Sequence, residues 1–571
     1  MSYVKGPAVT YTVSTYLLDR LAECGVSHLL GVPGDFNLRF LDDVIDHPKV
    51  SWVGNANELN AGYAADGYAR VNGLGAVLTT FGVGELSALN ALAGAYAEYA
   101  PVLHVVGAPA RQVQESGKAI HHTLGDGDFT AFRQVAEKVS SAVVEVQPAT
   151  AAHDIDRVLA EIALRKRPGY LLLADDVAVL PCMPPSEPLK PPTPASVPGE
   201  KERFRQDFTE LLQRVGERAN LTLLADILVQ RMGLQTEIRE LVDETALPYS
   251  TLKWGKGLFD ETASGWRGIY TGEVSETATR QAVEGADALI CAGVVLTDTI
   301  TAGFTHAFPE RTVYLEPQQV VMGDTVYAPL TLADSLSVVL DALRDAGWQG
   351  PEGEGNSEDA AESGLIGACS SDLDAADLRA PLTQNRLWQI VAPRIPQGAT
   401  VAVDQGTSFA GIAPHPLPSD ARCISQPLWG SIGYSLPALL GAQLAAPESR
   451  GVLLIGDGSA QLTVQELGTL LRLNLTPIIV LVNNEGYTVE REIHGPTQPY
   501  NDIQLYNWSL VPAALGAKKE QVLTLQAATG ADLCEALERA VKTTDRLVLL
   551  EVLVDRHDVP DLLEERVEAQ K

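Results

Sequence analysis

Short runs of apolar residues, separated by stretches of helical period, recur along the whole chain. The runs at 77–80 and 102–107 are followed by others at 221–225, 288–293 and 312–315, and then at 400–404, 452–455, 478–482 and 547–552. A strand apolar at nearly every position is buried on both faces, as in a parallel sheet covered by helices. Strands alternating with amphipathic helices point to doubly wound α/β architecture. Two interruptions divide the pattern. Residues 181–200 are proline-dense, hence extended and solvated. Residues 350–380 are acidic with few large apolar side chains, a flexible surface crossing. The pattern predicts three doubly wound parallel-sheet domains at 8–185, 201–347 and 383–556, linkers at 186–200 and 348–382, and a tail at 557–571. No short-period repeat is visible.

Two strand ends carry the clearest chemistry. The run from 451 ends in Gly456-Asp457-Gly458-Ser459, and the run from 476 ends in Asn483-Asn484-Glu485-Gly486. Adjacent parallel strands would set these turns side by side at the carboxyl edge of one sheet. Asp457, the amide oxygen of Asn484 and a backbone carbonyl near Gly486 are three hard oxygen ligands. Such a set suits Mg²⁺, which takes its remaining ligands from phosphate and water. The glycines admit close approach of backbone N–H groups to a phosphate. Alone, Gly-Asp-Gly is an ordinary turn. The Asn-Asn turn, 27 residues after Asp457, gives it meaning.

A second cluster lies in the first domain. A strand at 50–53 leads into Asn57-Glu58-Leu59-Asn60 and a helix of small residues, placing Glu58 where strand hands over to helix. Standing alone, Glu58 reads as a helix N-terminal carboxylate. Gly31-Val32-Pro33-Gly34-Asp35-Phe36 and the pair His121-His122 are further candidates. Histidine is the natural proton shuttle near neutral pH. No third ligand stands at suitable sequence spacing, which disfavours a metal at the histidine pair.

Composition narrows the class. The net charge of −31, from 73 acidic and 42 basic residues, disfavours nucleic acid and anionic membrane as partners. No run is long and apolar enough for a membrane span. The six cysteines show no CxxC spacing and read as reduced thiols of a cytoplasmic protein.

The Gly-Asp-Gly and Asn-Asn turns, separated by a strand–helix–strand unit, resemble the signature of thiamine diphosphate enzymes. The segments GVPGDFN and HHTLGDGDF resemble their 2-oxo acid decarboxylase branch, and longer stretches look closest to branched-chain 2-oxo acid and indolepyruvate or phenylpyruvate decarboxylases. The resemblance covers essentially the whole chain. It implies non-oxidative decarboxylation of 2-oxo acids to aldehydes, with thiamine diphosphate and Mg²⁺ as cofactors. The metal ligands would be Asp457, Asn484 and Gly486. The cofactor would contact Gly406, Thr407, Gly430, Ile432, Gly458, Ser459, Tyr487 and Thr488, with Glu58 sharing a proton with the pyrimidine ring. Asp35, His121, His122 and Glu490 would be catalytic. Gln405, Phe409, Ala410, Val489 and Ile493 would border the substrate side chain. Ala410 is small, which suggests room for branched or arylmethyl groups. Overlapping substrates are expected, because a methylene is worth only about 1–3 kcal/mol of discrimination. In the family the cofactor bridges two subunits, so a homodimer or homotetramer is implied.

Pyruvate decarboxylation and thiamine diphosphate-dependent carboligation are the alternative readings. The middle domain has no defensible dinucleotide fingerprint: Gly293–Asp298 ends a strand but lacks the glycine spacing. That argues against a flavin-dependent oxidase and a Rossmann dehydrogenase. A non-catalytic homologue would have lost Glu58 or the metal ligands, and neither is lost.

Overall fold

A computed structural model describes residues 11–216, 219–348 and 377–569. Most of the predicted linker at 348–382 falls outside the described residues, as do Cys369, positions 8–10 and the last two of the tail. The chain forms two compact units, residues 1–193 with 440–447 and residues 194–439 with 448–571.

The first unit holds one sheet. Its strands are β1 (His28–Gly31), β2 (Ser51–Gly54), β3 (Gly75–Thr80), β4 (Val102–Ala108), β5 (Ala142–Glu145) and β6 (Gly169–Ala174), in the order β2-β1-β3-β4-β6-β5. All pairs are parallel. The inner strands β3, β4 and β6 are buried at every position, which is why their sequences do not alternate. One face of the sheet packs Leu17, Leu18 and Leu21 with Ile155, Val158 and Ile162 from the helices Val13–Glu23 and Ala151–Arg165. The helix Glu58–Asn72 starts at Asn57, whose side chain accepts from the backbone N–H of Asn60, and stops at Gly73, where φ is +90°. A cap of this kind contributes about 1 kcal/mol.

The second unit holds two sheets. The central strands are β7 (Leu221–Ala225), β8 (Tyr249–Leu252), β9 (Trp266–Tyr270), β10 (Ala288–Ala292), β11 (Thr312–Leu315), β12 (Val320–Met322) and β13 (Thr325–Tyr327), ordered β13-β12-β11-β10-β7-β8-β9. The parallel body carries an antiparallel edge made by β12 and β13. These three-residue strands are too short to register as apolar runs. The preceding linker ends early, because a helix begins at Pro198, where proline is favourable in a first turn.

The third sheet contains β14 (Thr400–Val403), β15 (Arg422–Ile424), β16 (Gly451–Gly456), β17 (Ile478–Asn483), β18 (Val522–Ala527) and β19 (Leu547–Leu553), ordered β15-β14-β16-β17-β19-β18 and wholly parallel. In register, Gly456 lies opposite Val482, so the ends of β16 and β17 are neighbours. In this sheet the strand order reverses between β14 and β16. In the first it reverses between β1 and β3. Such switch points open crevices at the carboxyl edge.

A buried ion pair stiffens the second unit. Lys256 Nζ donates to Glu261 at 2.7 Å and to the carbonyls of Ala413 and His415 at 3.1 and 2.8 Å. The Leu417 N–H donates to Glu261 at 3.0 Å. This network fixes the chain just beyond the helix Thr407–Ile412, whose first residues lie at the crevice. Removing one partner of such a pair costs about 3–5 kcal/mol.

Candidate functional site

Asp457 follows β16 and is 1% exposed. Its carboxylate accepts from the N–H of Gly458 at 2.8 Å and of Gly486 at 3.2 Å. Burial pushes its carboxyl up to about 6, against these bonds and the nearby charge of Arg491. The side-chain oxygen of Asn484 lies 3.0 Å from Asp457 Oδ1 and 3.1 Å from the carbonyl of Gly486. Three oxygens facing one another repel unless a cation lies between them. Ligands at right angles and ~2.1 Å from Mg²⁺ sit about 3.0 Å apart, so these residues fit that ion. A turned amide would instead donate to Asp457 and Gly486, a reversal open to the metal-free chain. As placed, the Asn484 nitrogen faces Thr488 Oγ1 at 3.1 Å, and that hydroxyl donates to the carbonyl of Arg556 at 2.9 Å.

Gly458 is required by contact, since a Cβ there would lie 2.7 Å from the Tyr487 ring. Gly486 is required twice over: its φ is +124°, and a Cβ would lie 2.3 Å from the carbonyl of Asn501.

Across the switch point, Asp404 at the end of β14 is fully buried. It accepts from the N–H groups of Gly433 and Ser435 at 3.1 and 3.2 Å, from the Ser435 hydroxyl at 2.6 Å, and from the Ser459 hydroxyl. It therefore anchors the loop carrying Gly430 and half-buried Ile432. Gln426 supports the same loop: its carbonyl accepts from Gly430 N–H at 2.9 Å and its side chain from Ser431 N–H at 3.2 Å. Gln405 Nε2, Ser408 Oγ and Gln426 Nε2 are buried without a hydrogen-bond partner among the described residues. Orphaned polar atoms at a sheet's carboxyl edge suit a polar ligand.

Gly406 has φ +105°, and a Cβ there would meet Val489 at 3.4 Å. Gly406 thus lies beside the helix Thr488–His494, which carries Val489, Glu490 and Ile493. Phe409 packs into the apolar core of its domain at 4% exposure. The tail helix Asp561–Ala569 packs against both Thr407–Ile412 and Thr488–His494.

In the first unit Glu58 opens its helix at the end of β2. A Cβ on Gly84 would come within 3.3 Å of its carboxylate, so that glycine leaves the acid room. Asp35 follows β1. Its Oδ2 lies 2.5 Å from His121 Nε2, and its Oδ1 lies 3.6 Å from His122 Nε2. The Phe36 ring stacks on His121 at 5.0 Å. Asp35 is thus the third group that sequence spacing did not supply, since it comes from 86 residues earlier. The three ligand atoms lie within 4.8 Å of one another, close enough to exchange protons or to hold a cation. His122 has φ +63°, and its carbonyl would meet a Cβ on Gly82 at 1.9 Å. Glu85, 4% exposed, accepts from Gly82 N–H at 2.7 Å and from the Tyr170 hydroxyl at 2.8 Å.

Comparison with known proteins agrees with this geometry. Residues 11–132 match the N-terminal TPP binding domain of thiamine pyrophosphate enzymes. Residues 208–343 match the central domain, and 404–552 the C-terminal TPP binding domain. The chain is 47% identical over 555 residues to the alpha-keto-acid decarboxylase of Mycobacterium tuberculosis (strain ATCC 25618 / H37Rv), covering 97% of this chain and 96% of that one. It is 47% identical over 571 residues to the alpha-keto-acid decarboxylase of Mycobacterium ulcerans (strain Agy99), covering 99% and 98%. The chain belongs to the thiamine diphosphate-dependent 2-oxo acid decarboxylase family. Membership places it among enzymes that decarboxylate 2-oxo acids with that cofactor. Among the described residues no helix is long and apolar enough to cross a membrane, and Cys24, Cys182, Cys291 and Cys534 form no disulfide.

For a decarboxylase of this family, the sequence reading overlooked Asp404, Gln426, Glu85 and Arg491. Asp404 carries a usable signal, an acid ending an apolar strand. The others look like ordinary surface or helix positions until the chain is folded.

Proposed function

We propose that the chain converts 2-oxo acids into aldehydes and CO₂, using thiamine diphosphate held through Mg²⁺, with branched-chain and aromatic acids as preferred substrates. The observation that carries this reading is the convergence of Asp457, the Asn484 side-chain amide and the Gly486 carbonyl at 3.0–3.1 Å. The names of the mycobacterial relatives support the reaction class.

Asp457, Asn484 and Gly486 hold the metal, and Gly458, Ser459, Tyr487 and Thr488 surround the diphosphate. Gly430 and Ile432 receive the pyrimidine end on the loop that Asp404 anchors. Glu58 carries the proton exchanged with the pyrimidine ring. When bound, thiamine diphosphate would supply an electron sink for the pair released as CO₂ leaves. Glu490 faces the substrate carboxylate and helps to expel it. Asp35, His121 and His122 pass protons as one coupled set, delivering the proton that completes the aldehyde. Gln405, Ala410, Val489 and Ile493 border the substrate side chain, with Phe409 packed beneath. The small side chain of Ala410 leaves space beyond that needed for pyruvate. A homodimer is the smallest active unit, a tetramer would be a dimer of dimers, and the reduced cysteines fit a cytoplasmic location.

The test is aldehyde release from a panel of 2-oxo acids with Mg²⁺ and thiamine diphosphate, beside Glu58→Gln. Turnover of 3-methyl-2-oxobutanoate, 4-methyl-2-oxopentanoate or phenylpyruvate, lost in the variant, is expected. Turnover of pyruvate alone would overturn the pocket reading and keep the chemistry. Carboligated products without free aldehyde would overturn the reaction.

A further inference from the structure

The metal turn has an unusual backbone. Glu485 has φ +57° without being glycine, and Gly486 has φ +124°. Consecutive residues in sparsely populated conformations persist only where their surroundings fix them. Arg491 supplies that fixing. It sits on the helix following the turn, yet its side chain is only 2% exposed. Its guanidinium folds back under the turn. Nη2 donates to the Glu485 carbonyl at 2.8 Å, and Nη1 to the Asn484 carbonyl at 3.3 Å. Nη2 also reaches the Asn501 carbonyl at 3.3 Å and Asp502 Oδ1 at 3.0 Å.

Two of the turn's three carbonyls are thereby directed at Arg491. The third, from Gly486, faces the Asn484 side-chain oxygen beside Asp457. Nη1 also approaches Thr488 Oγ1 at 3.4 Å, the group facing the Asn484 amide nitrogen. One side chain thus bears on two of the three candidate ligands: on Gly486 through the carbonyl of the preceding Glu485, and on Asn484 through its own backbone carbonyl and Thr488. A planar fork of five donors can do this, and the point charge of a lysine cannot.

We infer that Arg491 is a positioning residue that sets the geometry of the metal turn and selects Mg²⁺ over larger cations. The inference rests on the proposed Mg²⁺ site. Its selectivity follows from ion size. Mg²⁺ demands a near-ideal octahedron at about 2.0–2.1 Å, whereas Ca²⁺ accepts looser shells at about 2.3–2.6 Å. Loosening the turn therefore weakens Mg²⁺ more than Ca²⁺. A residue that only stabilised the fold would weaken both alike.

The test measures binding, not turnover. Metal-free full-length protein is titrated with Mg²⁺ or Ca²⁺ in the presence of thiamine diphosphate and followed by calorimetry. Arg491→Met should weaken Mg²⁺ about 10–100-fold, the usual effect of losing a group that orients metal ligands. Ca²⁺ should fall less, and Arg491→Lys should lie between. Asp502→Asn alters only the half-exposed acid that orients Arg491, and should move the Mg²⁺/Ca²⁺ ratio in the same direction by less. An equal fall for both cations, or an unchanged Mg²⁺ affinity, overturns the inference. If the Arg491 variants do not fold, an unchanged ratio in Asp502→Asn overturns it. Wild-type protein that takes up neither cation overturns the metal site itself, a result distinguishable from failure of the variants alone.

Discussion

Two clusters sit at the carboxyl edges of two parallel sheets, and their surroundings differ. At the C-terminal sheet, Asp457 and Asn484 are 1% and 3% exposed, and their turn is tied by backbone donors and a buried arginine. At the N-terminal sheet, the side chains of His121 and Asp35 are 59% and 47% exposed, and the cluster is joined mainly by its own members. A group that holds a metal gains from rigidity, because misplaced ligands forfeit the ion. Groups that move protons need access to the reacting atom, and their supports lie in the layer beneath. On the proposed roles, the first arrangement suits binding and the second suits exchange.

The largest expected effect separates the two roles. Replacing His122 or His121 by Ala should lower turnover about 10²–10⁴-fold, the range for losing a proton-transfer group. Affinity for thiamine diphosphate with Mg²⁺, read by calorimetry, should not move. A parallel loss of cofactor affinity would show that the clusters are not separable.

Asp457→Asn should act the opposite way, weakening Mg²⁺ by about 100-fold or more, since even groups behind a ligand cost 10–100-fold. A pH dependence belongs to the same prediction. Burial holds the Asp457 carboxyl up to about 6 in the metal-free protein. Its contribution to folding stability is thus present below the ordinary 3.8 and is lost as pH rises through about 6. A shift near two units corresponds to about 3 kcal/mol. Metal binding requires the ionised acid. Apparent Mg²⁺ affinity should fall by up to about tenfold per pH unit below 6, and the rise in melting temperature on adding cofactor should be larger at pH 7 than at pH 5. Equal rises at both pH values would rule this out.

The same contrast explains what was legible in the sequence. Inner strands such as 221–225 and 312–315 match β7 and β11 end for end, because burial on both faces forces continuous apolar runs. The edge strand β18 alternates in exposure, and β12 and β13 are three residues long, so none of them stands out. The proposed metal turn was legible because its candidate donors are close in sequence and its glycines are demanded by contact. The joining of Asp35 to His121 was not legible from spacing and rested on the family resemblance, since it depends on β1 and the loop after β4 meeting in space. Arg491 was least legible of all. A basic residue on a short helix reads as solvated, and only the fold shows that it turns inward.

The smallest expected effect probes the layer beneath the exposed cluster. Glu85 holds Gly82 N–H and the Tyr170 hydroxyl, and the backbone of His122 passes close against Gly82. Burial pushes the Glu85 carboxyl up to about 7. Its stabilising contribution is therefore complete below the ordinary 4.5 and is lost as pH rises through about 7, a change of up to about 3 kcal/mol. Glu85→Gln keeps an acceptor for Gly82 and removes the charge. Thermal melts should show the variant gaining on the wild type by a few degrees between pH 5 and pH 8. Parallel melting curves across that range would mean that Glu85 is not a buried titrating group. The open N-terminal cluster would then rest on a support whose charge does not change over that range, and the likeness between the buried acids beneath the two sites would end at Asp457.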